Sequence, residues 1–168
     1  MRDFHLPGRS AVYATNGMCA TSHPLAAKTA IEILERGGNA MDAAIAGAVL
    51  LGIGEPQMTG ISRYCIALFT KPGSDEIHAL NGSGRAPAAA SAAALRDQGH
   101  DTVPLNSPAA VTIPGAIDAF CRLSDDHGKL GLDALLAPAI RYAEDGVPVA
   151  PRVAFDWPEP GKALQGHG

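Results

Sequence analysis

Arg85 lies in the run Asn81-Gly82-Ser83-Gly84-Arg85-Ala86-Pro87. A guanidinium on a glycine-rich loop is suited to clamp a carboxylate through two parallel hydrogen bonds. A surface arginine in a salt bridge fits the same spacing, and spacing alone favours that second reading. Gly-Ser-Gly lacks both the G-x-x-x-x-G-K-[ST] and the G-x-G-x-x-G patterns, so the loop does not read as a phosphate cradle. Thr21, Ser22 and His23 could suggest a nucleophile and its base. Adjacent side chains rarely face each other, and no Asp or Glu nearby in sequence is placed to orient the ring. A helix-capping role fits His23 or Ser22 better. Arg63, at the end of the loop after Pro56, could bind an anion, although an exposed arginine is the default there. Cys65 falls inside an apolar run and reads as packed rather than nucleophilic. His5, His78, His100, His127 and His167 show no metal-ligand spacing. No nucleophile, base and oxyanion donor can be assembled from these residues alone.

Several elements must carry these residues. Residues 11–14 and 18–22 flank Thr15-Asn16-Gly17, a hairpin signal because Asn and Gly accept positive φ. Pro24 then opens a helix with Ala27, Ile31 and Leu34 on one face, Ala30 and Ile33 beside it, and Lys28, Glu32, Glu35 and Arg36 on the other. Gly37-Gly38 ends it. Asn39 caps a second helix with Asp42 in its first turn. Residues 43–51 have no polar face, so this helix belongs in an interior. Glu55-Pro56 breaks it. Residues 64–70 and 76–80 read as antiparallel strands around the turn 71–75. Residues 81–87 follow as a backbone-rich loop. Residues 88–97 read as an alanine-rich helix and 110–113 as a short strand. A further helix starts at Pro114-Gly115 and runs to about Asp125. Asp133 is expected to cap the next helix, with Pro138 kinking it or marking its true start. Residues 147–168 hold four prolines and no periodicity, which predicts an irregular tail. The order of elements predicts an α+β or layered α/β fold in one domain spanning 1–168.

With 168 residues, the chain is long enough for a sizeable core. Thirteen Lys plus Arg against seventeen Asp plus Glu leave a net charge of −4, without the basic footprint of nucleic-acid binding or a polybasic membrane patch. Aromatics make up only 5%, too few for a base-stacking platform. Cys19, Cys65 and Cys121 are odd in number and far apart, which predicts reduced thiols rather than a disulfide framework or structural zinc. The first ten residues carry no apolar run of the kind a secretory signal needs, and no stretch is long enough to span a bilayer. A cytoplasmic location is the expectation, with no nucleic-acid and no membrane partner.

The motifs, taken together, resemble the γ-glutamyltransferases (γ-glutamyltranspeptidases). S-H-P-L-A at 22–26 is followed by I-L-x-R-G-G-N-A-x-D-A-A-I-A at 33–46 and E-P-x-x-x-G-I at 55–61. L-N-G-S-G-R-A-P at 80–87, P-G-A at 114–116 and A-P-A-I-x-x-A-x-D-G at 137–146 complete the set. They come in the family's order and cover nearly the whole chain.

That resemblance implies an N-terminal-nucleophile hydrolase with a four-layer αββα sandwich, of which this chain would be an incomplete piece from the N-terminal part of the large subunit. It implies a precursor that cleaves itself, exposing a small-subunit threonine as nucleophile with its own α-amino group as base. No cofactor is implied. The donor would be glutathione or a relative, and the γ-glutamyl group would pass to water or an amino acid. The chain's partners would be that donor and the remainder of both subunits. Arg85, in its G-R-A-P setting, is similar to the family arginine that grips the donor's α-carboxylate, which reverses the preference from spacing. The threonine lies in neither motif nor chain here, so the chain alone is expected to be inactive. One segment departs from the pattern: G-I-G-G-[DG]-x-F appears as Gly60-Ile61-Ser62-Arg63-Tyr64-Cys65-Ile66, where Arg63 should strain any positive-φ turn. Two other readings stand beside this one: a cephalosporin-acylase-like amidase of the same superfamily, and a standalone non-catalytic binding module.

Overall fold

The computed structural model describes residues 11–60, 64–105 and 107–158. Helix α1 spans Pro24–Glu35 and helix α2 spans Ala40–Gly54. Strands β1, Ile66–Thr70, and β2, Ile77–Asn81, pair antiparallel. Helices α3, Ala92–Asp97, α4, Ala116–His127, α5, Leu132–Asp145, and α6, Pro151–Asp156, follow, with a single 3₁₀ turn at Pro108–Ala110. Helices α1, α4 and α5 all pack on α2, the apolar centre of the described chain.

The two leading helices form where their sequence signals stand. His23 is the N-cap of α1, its Nδ1 accepting from the Leu25 N–H, and Pro24 occupies a position whose missing N–H costs nothing. Gly37 takes φ +92, the left-handed turn that lets the chain reverse toward α2. At α2, Asn39 and Asp42 complete a reciprocal capping box. Asp42 is fully buried, and its carboxylate also accepts from the Lys129 N–H between α4 and α5. Asn39 Nδ2 donates to the His127 carbonyl at 2.7 Å. The start of α2 is thereby tied to a segment nearly ninety residues away. Gly128 permits this approach, since a Cβ there would stand 2.8 Å from Asp42 Oδ1.

The interior is made by Ile33, Ile45, Leu50 and Leu135, with Ala26, Ala30, Ala46 and Ala139 allowing close helix approach. The β1–β2 hairpin contributes only one face to it. Ala67, Phe69 and Leu80 point inward onto the helices, and Phe69 stacks on His78 of β2 and tilts against His127 of α4. Ile66, Leu68 and Ile77 point outward and are exposed. Register follows from this inward set, because a slip of one residue would turn Phe69 and Leu80 to solvent. The result is a helical layer on one side of a small antiparallel sheet.

Several expectations are corrected. Residues 11–22 form no hairpin, and Asn16 and Gly17 lack the positive φ that its turn requires. Val12 and Tyr13 are exposed, so the short arms have no apolar surface to pair over, and an isolated hairpin is marginal in water. Helix α3 starts only at Ala92, because Ser91 caps it by accepting from the Ala94 N–H, while 87–90 form a turn. Residues 110–113 are not a strand. The 3₁₀ turn takes Ala110, and the Ile113 N–H goes to the Arg85 carbonyl in a single bond. Helix α5 is capped by Gly131 at φ +78 rather than by Asp133, which sits in the first turn. Pro138 lies inside α5 and is buried there, so it does not mark the start of the helix. Within the stretch expected to be irregular, Pro151 begins α6 and Val153 is buried. Period alone could not show this, since six residues make fewer than two turns. Arg63 and the substituted glycine segment lie outside the described residues.

Candidate functional site

The loop after β2 is where the structure concentrates its backbone constraints. Gly82 continues the strand pairing by donating its N–H to the Cys65 carbonyl at 2.7 Å. Asn81 folds its side chain back, and Oδ1 accepts from the Ser83 N–H at 3.0 Å. A Cβ at Gly84 would overlap the Ile113 carbonyl oxygen and lie 2.7 Å from its carbon. From the other side, a Cβ at Gly115 would overlap the Gly82 carbonyl oxygen and stand 3.0 Å from the Gly84 nitrogen. Arg85 closes the arrangement, its carbonyl accepting from the Ile113 N–H at 3.0 Å. The 82–85 backbone therefore lies directly against the 113–115 backbone, just before α4.

Arg85 itself is exposed. Among the described residues no hydrogen bond or ion pair reaches its guanidinium, although other arginines are paired, Arg122 with Asp118 and Arg152 with Asp156. The salt bridge that spacing favours is thus not formed at this position among the described residues. A planar cation on a fixed backbone, open to solvent, can take a carboxylate in a bidentate pair.

The other candidates separate. Ser22 and His23 do not pair with each other. The Ser22 hydroxyl donates to Glu55 Oε2 at 2.6 Å, while the His23 ring is buried against Gly54 and accepts from the Leu25 N–H. The capping role holds, and a serine whose proton is already given to a carboxylate, with no histidine to relay it, does not form a triad. Glu55 is the residue that sequence reasoning missed. The sequence marks it as a helix breaker and as the first residue of E-P-x-x-x-G, neither of which points to a contact that spans 33 positions. Cys65 is partly buried, and burial pushes its thiol up, away from the thiolate a nucleophile needs. Cys19 and Cys121 are free thiols. His78 stacks on Phe69 and His127 tilts against it, and no group of three His, Cys, Asp or Glu among the described residues stands together as a metal site. Among the same residues, no helix is long and apolar enough to cross a membrane.

Comparison with known proteins bears on what these parts belong to. Residues 26–166 match the family Gamma-glutamyltranspeptidase. The chain is 34% identical over 142 residues to a glutathione hydrolase-like YwrD proenzyme of Bacillus subtilis, which covers 83% of the chain and 26% of that protein. It is 37% identical over 142 residues to an oxamate amidohydrolase proenzyme of Klebsiella pneumoniae, covering 81% and 26%. Among solved structures, the cephalosporin acylase of Bacillus halodurans superposes with a TM-score of 0.88 at 43% identity, covering 99% of the chain and 31% of that structure. The chain spans about a quarter of the length of these curated relatives.

Proposed function

The chain belongs to the gamma-glutamyltranspeptidase family, and we propose that it is the leading part of an enzyme that transfers or hydrolyses a γ-glutamyl group from a glutathione-like donor. In this reading Arg85 holds the donor's free α-carboxylate. The observation that carries it is the exposed Arg85 head, unpaired among the described residues, on a backbone fixed at Gly84 and Ile113.

The chemistry divides between Arg85 and the rest of the protein. The nucleophile is a threonine exposed by self-cleavage in polypeptide beyond these residues. Its α-amino group takes the hydroxyl proton as the oxygen attacks the donor carbonyl, and the amine leaves with a proton. Water or an amino acid then takes the acyl group. Arg85 does no proton transfer. It fixes one end of the donor so that the scissile carbonyl meets the nucleophile, which is a positioning effect. The 168 residues alone are inactive, and a chromogenic γ-glutamyl amide incubated with them should remain intact.

A second reading has its own support. The oxamate amidohydrolase and cephalosporin acylase likenesses favour an amidase acting on a different acyl group. Oxamate also carries a free carboxylate, so Arg85 keeps its role there. The test is donor specificity in a full-length enzyme carrying these residues. γ-Glutamyl amides turned over faster than oxamate or acyl-cephalosporin amides support the first reading, and the reverse order supports the second. For whichever donor is used, Arg85→Lys should raise KM and Arg85→Ala raise it more, roughly tenfold or beyond for loss of a charge-assisted pair. Capping the donor carboxylate as an amide should abolish the difference between wild type and variants. Equal losses on both donors would make Arg85 structural.

A further inference from the structure

We propose that Asn81 and Gly84 are positioning residues for Arg85, setting donor selectivity through the backbone without touching substrate. This rests on the reading of Arg85 as the carboxylate clamp. Arg85 can act as a clamp only if its flexible side chain starts from a fixed point, since a bidentate pair tolerates little displacement. Two devices supply that point. Ahead of Arg85, the Asn81 carboxamide oxygen accepts from the Ser83 N–H, holding the backbone in place as it leaves β2. At Arg85, the missing side chain of Gly84 lets the loop press onto Ile113, where the Ile113 N–H reaches the Arg85 carbonyl. The Cys65 carbonyl, just ahead of β1, accepts from the Gly82 N–H and so ties the start of the loop to the sheet.

Asn81 is exposed, and its side chain has no other partner among the described residues, so its bond to Ser83 is not needed for the core. That separates it from a merely structural residue and makes it the sharper probe. In the full-length enzyme, Asn81→Ala should raise KM for a free-carboxylate donor by roughly three- to tenfold, the size expected for losing one neutral hydrogen bond, while kcat stays within about twofold. The amide-capped donor should show no change. Asn81→Ser, whose hydroxyl can accept from the same N–H more weakly, should recover part of the loss. Asn81→Ala added to Arg85→Ala should cost nothing further, because the clamp it positions is already gone. Gly84→Ala should produce the same donor-selective defect at larger size. If it fails to fold, the Asn81 series decides alone.

The outcomes are distinct. Arg85→Ala selective for the free-carboxylate donor with Asn81→Ala silent overturns this proposal and leaves the clamp standing. Equal defects of Asn81→Ala on both donors, or additivity with Arg85→Ala, overturn it as well. Arg85→Ala without donor selectivity removes the clamp and this proposal together.

Discussion

The helical layer under the sheet and the loop that follows β2 are built on opposite principles. Below the sheet, α1, α2, α4 and α5 close around side chains: Ile33, Ile45, Leu50 and Leu135 fill the interior, and the buried Asp42 carboxylate gathers the N–H of Asn39 at its own helix cap and that of the distant Lys129. Beyond the sheet, the 81–85 loop is closed by side chains that are absent. Gly82, Gly84 and Gly115 let backbone meet backbone, and the one large residue, Arg85, extends outward. The first arrangement resists change in proportion to what each side chain fills or satisfies. The second resists the addition of any atom, while leaving the Arg85 head free among the described residues. Stability and the proposed selectivity thereby fall in neighbouring regions that tolerate opposite substitutions.

The largest test of this contrast falls on Asp42. Asp42→Ala strands the Asn39 and Lys129 N–H groups in the interior and should cost about 3–5 kcal/mol, the scale for breaking a buried hydrogen-bonded network. Urea unfolding would read it, and a loss under about 1 kcal/mol would show that the α2 cap is not a keystone. Leu50→Ala should follow at about 2–4 kcal/mol through the cavity it opens, visible as a lowered urea midpoint at unchanged slope. On the sheet, Phe69→Ala should be strongly destabilising. Leu68→Ala, one position along and facing out, should change stability by no more than about 0.5 kcal/mol. Similar losses at positions 68 and 69 would contradict the one-sided sheet.

The smallest effect concerns Cys65, at the boundary between the two regions. Burial holds its thiol above the usual value, so the folded state keeps this proton more tightly than the unfolded state. The associated stability is complete below the unfolded thiol's pKa and is lost as pH rises through the folded one. Iodoacetamide should modify Cys65 more slowly than a free thiol at neutral pH and progressively faster in alkali. Labelling at the free-thiol rate at neutral pH would show that the loop end of β1 is open.

Much of this was legible along the chain because it depends on near neighbours. Pro24, Asn39, Asp42 and the turn at Gly73 act within a few residues of themselves, through cap hydrogen bonds and restricted dihedrals, and the helices and strands they bound stand where the spacing puts them. The apolar run of α2 likewise announced its burial. Residues 11–22 show the limit of such signals: Asn16-Gly17 favours a hairpin locally, but the arms found no surface to cover. Tertiary structure alone decided that Asp42 reaches Lys129, that Ser22 pairs with Glu55 rather than His23, and that Gly84 lies against Ile113. Each joins segments separated by tens of residues, and a buried carboxylate or a missing Cβ acquires its meaning only from the atom brought opposite it. The motifs located Arg85; the packing of two backbones left its guanidinium fixed at the root and open at the tip.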